Sequence, residues 1–287
     1  MDRTLTIPST LQHPALSTAI EAAMIGSQIL VHHFQGDIQF QEKGIGELVS
    51  IADIESEKSI VATIHQTFPS HAILAEEGHQ EVQDSEHLWI IDPLDGTNNF
   101  AHRIPHFAIS IAHAVDGRVE CGVITNPISG DWFIAVRGQG AWHQGKRVHV
   151  NSHEHLHESM IALGFYYDRG LMMEATLCAA RDFFKQNIHG VRRFGTASLD
   201  LAMVGCGSFG AYFEFQLSPW DFAAGKLFVE EAGGKVTDCL GEELPLRNKT
   251  SILASNGRLH SKGLKITAHH WKQFKQGHAD FQTITQI

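Results

Sequence analysis

Between Trp89 and Phe100 the chain reads WIIDPLDGTNNF. With Leu88 in front, four apolar residues run straight into Asp92-Pro93-Leu94-Asp95-Gly96-Thr97. A short unbroken apolar run bounded by turn residues reads as a buried strand, and this one delivers two carboxylates to an open end. Pro93 removes a backbone donor and stiffens the connection. Gly96 permits a tight turn, and the amides that open the next segment are suited to meet a phosphate as helix N-termini do. The hydroxyl of Thr97 is a candidate to orient a water molecule.

Other carboxylates also stand where a strand or helix would end: Glu76 and Glu77 in HAILAEEG, and Asp221 in SPWDFAAG. Clustered carboxylates repel one another and raise each other's pKa, so they are costly without cations. Several hard oxygen donors, with no cysteine and no obvious histidine beside them, favour Mg²⁺ over zinc. Two such ions about 3.5–4 Å apart would clamp the attacking and leaving oxygens of an in-line displacement. Each piece also has an ordinary reading. D-x-x-D is common in solvated turns. Asp221 fits the N3 position of a helix capped by Ser218, with Pro219 at N1, and Asp53 stands in the same relation to Ser50. Glu77 fits a supporting or surface position.

The rest of the chain alternates strand and helix signals. Helical spacing marks 14–34 and a capped segment from Ser50, and the β-branched and aromatic stretch 107–142, broken by Asp116-Gly117 and Ser129-Gly130, reads as an antiparallel meander. MIALGFYY, GAYFEF, GKVTD and SILAS read as strands. LMMEATLCAARDFFKQ, TASLDLAMVGCG, PWDFAAGKLFVEEAGG and the region of LKITAHHWKQF read as helices. Interleaved strands and helices predict layered α/β packing. The polar stretch NSHEHLHES divides a 1–150 α+β part from a 151–287 α/β part, and the closing GHADFQTITQI reads as loosely held.

Composition narrows the function classes. No run approaches the ~18 apolar residues of a membrane span, and the first residues lack the basic flank and apolar stretch of a signal peptide. Cys121, Cys178, Cys206 and Cys239 are too dispersed for a zinc site and suit free thiols in a reducing cytoplasm. The net charge is −10 with no lysine and arginine cluster, so no direct nucleic-acid binding is expected. An acidic protein can still take a phosphorylated substrate if bound cations reverse the local field. The 20 histidines are scattered, and HEHLH (153–157) reads as a polar surface connection.

ILAEEG, WIIDPLDGTNNF and PWDFAAGKLFVEEAGG occur in that order, and from about residue 13 to about 260 the chain resembles the inositol monophosphatase family of Mg²⁺-dependent, lithium-sensitive phosphatases. The resemblance is thinnest over 151–190. It implies a five-layer αβαβα sandwich, with the active site between the two parts, and a cytoplasmic homodimer. It also implies two or three Mg²⁺ ions held by Glu76, Asp92, the Leu94 carbonyl, Asp95 and Asp221. Glu76 and Thr97 would orient the attacking water. Asp53, in LVSIAD, would order the surroundings of a third, weaker ion, with Lys43 nearby. Asp95, Gly96 and Thr97 would face the substrate phosphate, while Gly195, Thr196 and Ala197 in RRFGTASLDLA and Glu214 in AYFEFQL would meet the hydroxyls of the alcohol. For Glu214 an alternating outward strand position is the competing reading.

The implied reaction is direct attack of a metal-activated water on a phosphomonoester, with no phosphorylated side chain. GTNNF suits the inositol and fructose-bisphosphate branch better than relatives with Gly-Thr-Lys, although Asn98 replaces a usual threonine. The implied substrate is inositol 1-phosphate or a similar polyol or sugar phosphate, with fructose-1,6-bisphosphatase and histidinol phosphatase as runners-up. Some bacterial relatives act with the transcription machinery, so a partner role with incidental phosphatase activity is a further reading. GFYYDRG departs from familiar forms and is placed at the substrate mouth.

Overall fold

The computed structural model describes residue 5 and residues 7–36, 40–44, 47–78 and 85–277, with the backbone alone at 40–44 and 47–49. The closing stretch 278–287, the side chain of Lys43 and part of the spacer between Glu76 and Asp92 lie outside the described residues.

Helix α1 (Leu16–Gln35) is followed by a hairpin, β1 (Phe40–Gly44) and β2 (Glu47–Ser50), which feeds α2 (Ile51–Thr67). Ser50 caps α2 in a reciprocal box: its amide donates to Asp53 Oδ2 at 2.8 Å, and its hydroxyl lies 3.4 Å from the Asp53 amide. A seven-stranded sheet then forms in chain order from β3 (Ala72–Ala75), β4 (His87–Asp95), β5 (Ala108–Val115), β6 (Arg118–Asn126), β7 (Asp131–Val136), β8 (Gly140–His143) and β9 (Lys146–Val148). The short helix α3 (Thr97–Ala101) links β4 to β5. Only β3 and β4 run parallel in this sheet; the other pairings are antiparallel.

The second sheet has the order β11-β10-β12-β14-β13, built from β10 (Met160–Leu163), β11 (Gly190–Arg192), β12 (Ala211–Leu217), β13 (Lys235–Thr237) and β14 (Thr250–Ser255). Four helices accompany it: α4 (Leu171–Phe184), α5 (Ala197–Gly205), α6 (Pro219–Glu231) and α7 (His260–Lys275). α1 and α2 cover the outer face of the large sheet, α5 and α6 lie between the sheets, and α4 and α7 cover the far face of the small one. The result is a five-layer αβαβα sandwich.

Side-chain alternation explains the layers. In β3 and β4, Ile73, Ala75, Trp89 and Ile91 pack toward α1 and α2, while Ala72, Leu74, Leu88 and Ile90 pack toward α5 and α6. A strand buried on both faces has no polar side, which is why these segments read as unbroken apolar runs. In β12, Ala211, Phe213 and Phe215 face the outer helices and Tyr212 faces the middle layer. Glu214 shares the face of Tyr212 by the same period of two.

Several segments differ from the sequence reading. β4 runs through Pro93 to Asp95, because its pairing with β5 is irregular between Asp92 and Asp95 and needs no donor from the proline. MIALGFYY is a strand only over Met160–Leu163; from Gly164 the chain leaves the sheet. The β1–β2 hairpin and the three-residue strands β9 and β11 lack an apolar run long enough to announce them. NSHEHLHES is a polar connection between the sheets, with His155 and His157 exposed.

The middle layer carries a direct test. Phe228 on α6 is 1% exposed and meets Phe133 of β7 edge to face at 5.7 Å. Phe228→Ala is expected to cost about 3–5 kcal/mol of unfolding free energy, read by urea denaturation. A loss below about 1 kcal/mol would mean that α6 does not pack there as described.

Candidate active site

A cleft of about 360 Å³ opens where the C-terminal end of β4 meets the N-terminal ends of α5 and α6. Glu76, Asp92, Leu94, Asp95, Gly96, Thr97, Gly195, Thr196, Ala197, Glu214 and Asp221 all line it. Asp53 does not line it. It is 0% exposed and stands behind Thr97, whose hydroxyl lies 3.3 Å from Asp53 Oδ1 and 3.1 Å from the Leu94 carbonyl.

Each carboxylate is placed by local hydrogen bonding. Asp92 Oδ1 accepts from the Leu94 amide at 3.0 Å, which turns the backbone around Pro93. Asp95 reaches the first turn of α5: Oδ1 accepts from the Ala197 amide at 3.2 Å, and Oδ2 from the Ser198 amide at 2.7 Å and the Ser198 hydroxyl at 2.5 Å. Asp221 Oδ2 accepts from the Ser218 amide at 2.7 Å, as the N3 residue of α6. The helix-capping reading of Asp53 and Asp221 is therefore correct, and for Asp221 it coexists with a place in the cleft lining, while Asp53 stays behind Thr97. Helix N-termini carry partial positive charge, so three of them bear on this group of acids.

That compensation is incomplete. Asp92 is held well above the usual carboxylate range by burial, and then by the charges of Glu76, Asp95 and Asp221. Burial likewise pushes Asp95 up to about 6, Asp53 up to about 6 and Asp221 up to about 7, with Asp95 adding repulsion at Asp221. Among the described residues lining the cleft there is no histidine or cysteine. Buried carboxylates plus the Leu94 carbonyl make an all-oxygen donor set that suits Mg²⁺, and a bound cation would invert the local charge logic. The residues therefore fit such an ion.

Two glycines are required here. Gly96 adopts φ 93°, and a Cβ there would fall 2.5 Å from Thr196 Oγ1. A Cβ on Gly164 would lie inside the Glu214 carboxylate. Thr196 donates its hydroxyl to the His106 carbonyl at 2.8 Å, so what it offers the cleft is backbone. Glu214 is buried, not outward: the Tyr212 hydroxyl donates to its Oε2 at 2.7 Å, and burial pushes its carboxyl up to about 8. Gly164, Phe165, Tyr166 and Tyr167 line the mouth, as GFYYDRG was expected to.

Sequence reasoning missed several lining residues. Arg193 and Lys249 bring positive charge to the rim, and Lys249 Nζ sits 3.0 Å from the Tyr166 hydroxyl. Asp200, 1% exposed, turns both carboxylate oxygens to a place with no hydrogen-bond partner among the described residues. Burial, and then Asp95 and Glu214, hold it well above the usual range. The motif RRFGTASLDLA contained Arg193, Ser198 and Asp200, but nothing in its pattern told which side chains turn inward.

A model of the inositol monophosphatase family matches residues 11–272. The chain belongs to this family. It is 39% identical over 251 residues to an inositol-1-monophosphatase of Caulobacter vibrioides, covering 86% of this chain and 98% of that protein. It is 38% identical over 250 residues to the Nus factor SuhB of Pseudomonas aeruginosa, covering 85% of this chain and 92% of that one. The crystal structure of the extragenic suppressor protein suhB from Bartonella henselae superposes with a TM-score of 0.82 at 38% identity, covering 88% of this chain and 97% of that one. Among the described residues no helix is long and apolar enough to cross a membrane.

The raised carboxyls make stability depend on pH. Ordinary values are 3.8 for aspartate and 4.5 for glutamate, so Asp221 near 7 and Glu214 near 8 hold protons more tightly folded than unfolded. Stability from these groups falls as pH rises toward those values. Buried His113 and His260, lowered from 6.5, oppose this only below that value. In chelating buffer the melting temperature should therefore fall between about pH 6.5 and 8, and Mg²⁺ should restore more at the upper end. Thermal melts with and without Mg²⁺ check this; an equal gain at both ends would contradict it.

Proposed function

We propose that this family member is a Mg²⁺-dependent, lithium-sensitive phosphomonoesterase acting on inositol 1-phosphate or a similar polyol or sugar phosphate. The observation that carries the reading is the convergence of Glu76, Asp92, Asp95 and Asp221, from three separate places in the chain, with the Leu94 carbonyl on one cleft. Bound there, magnesium supplies Lewis-acid polarisation of the phosphoryl group and lowers the pKa of water. Glu76, Asp92, Leu94, Asp95 and Asp221 would hold the ions.

The chain's own groups do the positioning. Thr97 has one hydroxyl proton and two neighbouring acceptors, Asp53 Oδ1 and the Leu94 carbonyl. Donating it to Asp53 leaves a Thr97 lone pair toward the cleft, where it would accept a hydrogen bond from the attacking water and, with Glu76, orient it. Asp53 thus acts through Thr97. The Gly96 turn and the Thr97 amide face the phosphate, and Arg193 and Lys249 at the rim draw an anionic substrate inward. With Tyr212 holding Oε2 of Glu214, Oε1 is left to meet a hydroxyl of the alcohol, beside Gly195, Thr196 and Ala197. The Caulobacter relative's name supports the inositol phosphate assignment. Fructose 1,6-bisphosphate and histidinol phosphate would use the same centre. By the family likeness the chain works as a cytoplasmic homodimer.

Phosphate release with Mg²⁺ across inositol 1-phosphate, fructose 1,6-bisphosphate, histidinol phosphate and adenosine 3′,5′-bisphosphate tests the reading. Asp95→Asn and Asp221→Asn should each lower turnover at least a hundredfold; activity within tenfold of wild type in either would sink the metal assignment. Glu214→Gln should raise KM for inositol 1-phosphate about tenfold, the loss of roughly 1.4 kcal/mol of binding, with a smaller effect on kcat. An unchanged KM would remove Glu214 from the alcohol subsite.

A second reading rests on the relatives named Nus factor SuhB. They support a role as a partner of the transcription machinery. Asp95→Ala introduced in the host separates the two: loss of the cellular phenotype with intact protein levels favours the enzyme, and retention favours the partner role.

A further inference from the structure

Four histidines far apart in sequence meet at the end of the large sheet opposite the cleft. His71 immediately precedes β3, His87 opens β4 and His113 lies in β5, directly across from Trp89. Because Ile73 pairs with Trp89 in parallel register, alternation places His71, His87, Trp89 and His113 on one face, toward α1 and α2. Ring centroids are 4.2 Å apart for His71 and His87, 5.5 Å for His71 and His113, and 5.4 Å for His87 and His113. His13 stands edge-on over His113 at 5.5 Å.

Packing alone does not account for this arrangement. His113 is 4% exposed, and among the described residues neither of its ring nitrogens has a hydrogen-bond partner; Nδ1 of His87 is in the same position. A buried polar atom without a partner is expensive and uncommon. One nitrogen from each of His71, His87 and His113 lies within 4.8 Å of the others. Desolvation lowers the pKa of His113 to about 3 and also lowers His71, so at neutral pH each of these two rings is uncharged and offers one nitrogen lone pair beside its one N–H.

We propose that His71, His87 and His113 form a binding site for a divalent transition cation of the zinc class, distinct from the carboxylate cleft, with His13 beside it as a fourth donor. Three neutral imidazoles select zinc, nickel or copper over magnesium or calcium. Zinc–nitrogen bonds of about 2.0–2.1 Å in a tetrahedral site call for nitrogens roughly 3.3 Å apart, so the cluster must tighten. The rings now stack within 9°, 14° and 12° of parallel. His87, whose side chain is 36% exposed, has room to turn its nitrogen toward the other two. The Trp89 indole donates to His71 Nδ1 at 3.1 Å, so ligation through that atom releases the indole and ties metal binding to Trp89 emission. The bound ion would pin the starts of β3 and β4 to β5.

Calorimetric titration of the full chain with ZnCl₂, in buffer holding excess Mg²⁺ to occupy the cleft, tests the site. The same titration with NiCl₂ is followed by tryptophan emission. One saturable site of micromolar affinity or tighter is expected, with quenching by nickel. His71→Gln and His87→Gln should each weaken it at least tenfold, and Asp95→Asn with Asp221→Asn should leave it unchanged. Both histidines are partly exposed, so these variants avoid the core position of His113. No saturable zinc binding would overturn the proposal. So would binding that survives in the His71→Gln/His87→Gln double variant, which places the ion on other histidines, or binding lost only in the aspartate variants, which places it in the cleft.

Discussion

Like-charge crowding at Asp92 is the constraint around which the cleft is organised. Glu76, Asp95 and Asp221 each raise the cost of ionising it, on top of its burial. A chain that merely folded would avoid such a centre. This one builds it from the ends of β3 and β4 and the first turn of α6, and then offsets part of the cost with helix N-termini and backbone amides. Asp95 shows how closely folding and chemistry are joined. Its carboxylate is the acceptor for the opening turn of α5, so the acidic centre also fastens the large sheet to the middle layer.

The middle layer is where the two sheets become one molecule. α6 packs against strands of both sheets, and α5 lies beside it. Gly122 of β6 permits this closeness, since a Cβ there would stand 3.1 Å from the Ala224 Cα. With α5 and α6 held in place, their N-terminal turns carry Ala197, Ser198 and Asp221 to the open end of β4. The cleft sits at this junction because the strands stop there and the helices start there.

Much of this was legible because it is local. The apolar run before Asp92 and the S-x-x-D boxes at Ser50 and Ser218 depend on neighbours a few residues away, and the structure repeats them. What was illegible depends on approach through space. Nothing near Ser198 marks it as the donor to an aspartate 103 positions earlier. Asp200 and Lys249 lie in segments whose periodicity says helix and loop but not which way a side chain turns. Gly164 could be read as the end of a strand, but not as the space into which Glu214 fits. The histidines are the clearest case. Scattered along the sequence they look like unrelated polar positions, and it is the register of β3, β4 and β5 that brings His71, His87 and His113 together.

β4 therefore links two polar clusters of opposite chemical character. Its C-terminal end presents buried oxygens, hard donors whose mutual repulsion a small divalent cation would relieve. Beside its N-terminal end His71, His87 and His113 cluster, with one nitrogen of each within 4.8 Å of the others. Between them run Leu88 to Ile91, buried on both faces and offering no ligand atom. A hard ion that found the imidazoles would lose most of its preferred donors, and a borderline ion in the carboxylate cleft would meet no nitrogen or sulfur. The apolar segment that first marked this chain as a buried strand thus also separates the hard oxygen donors from the imidazole nitrogens.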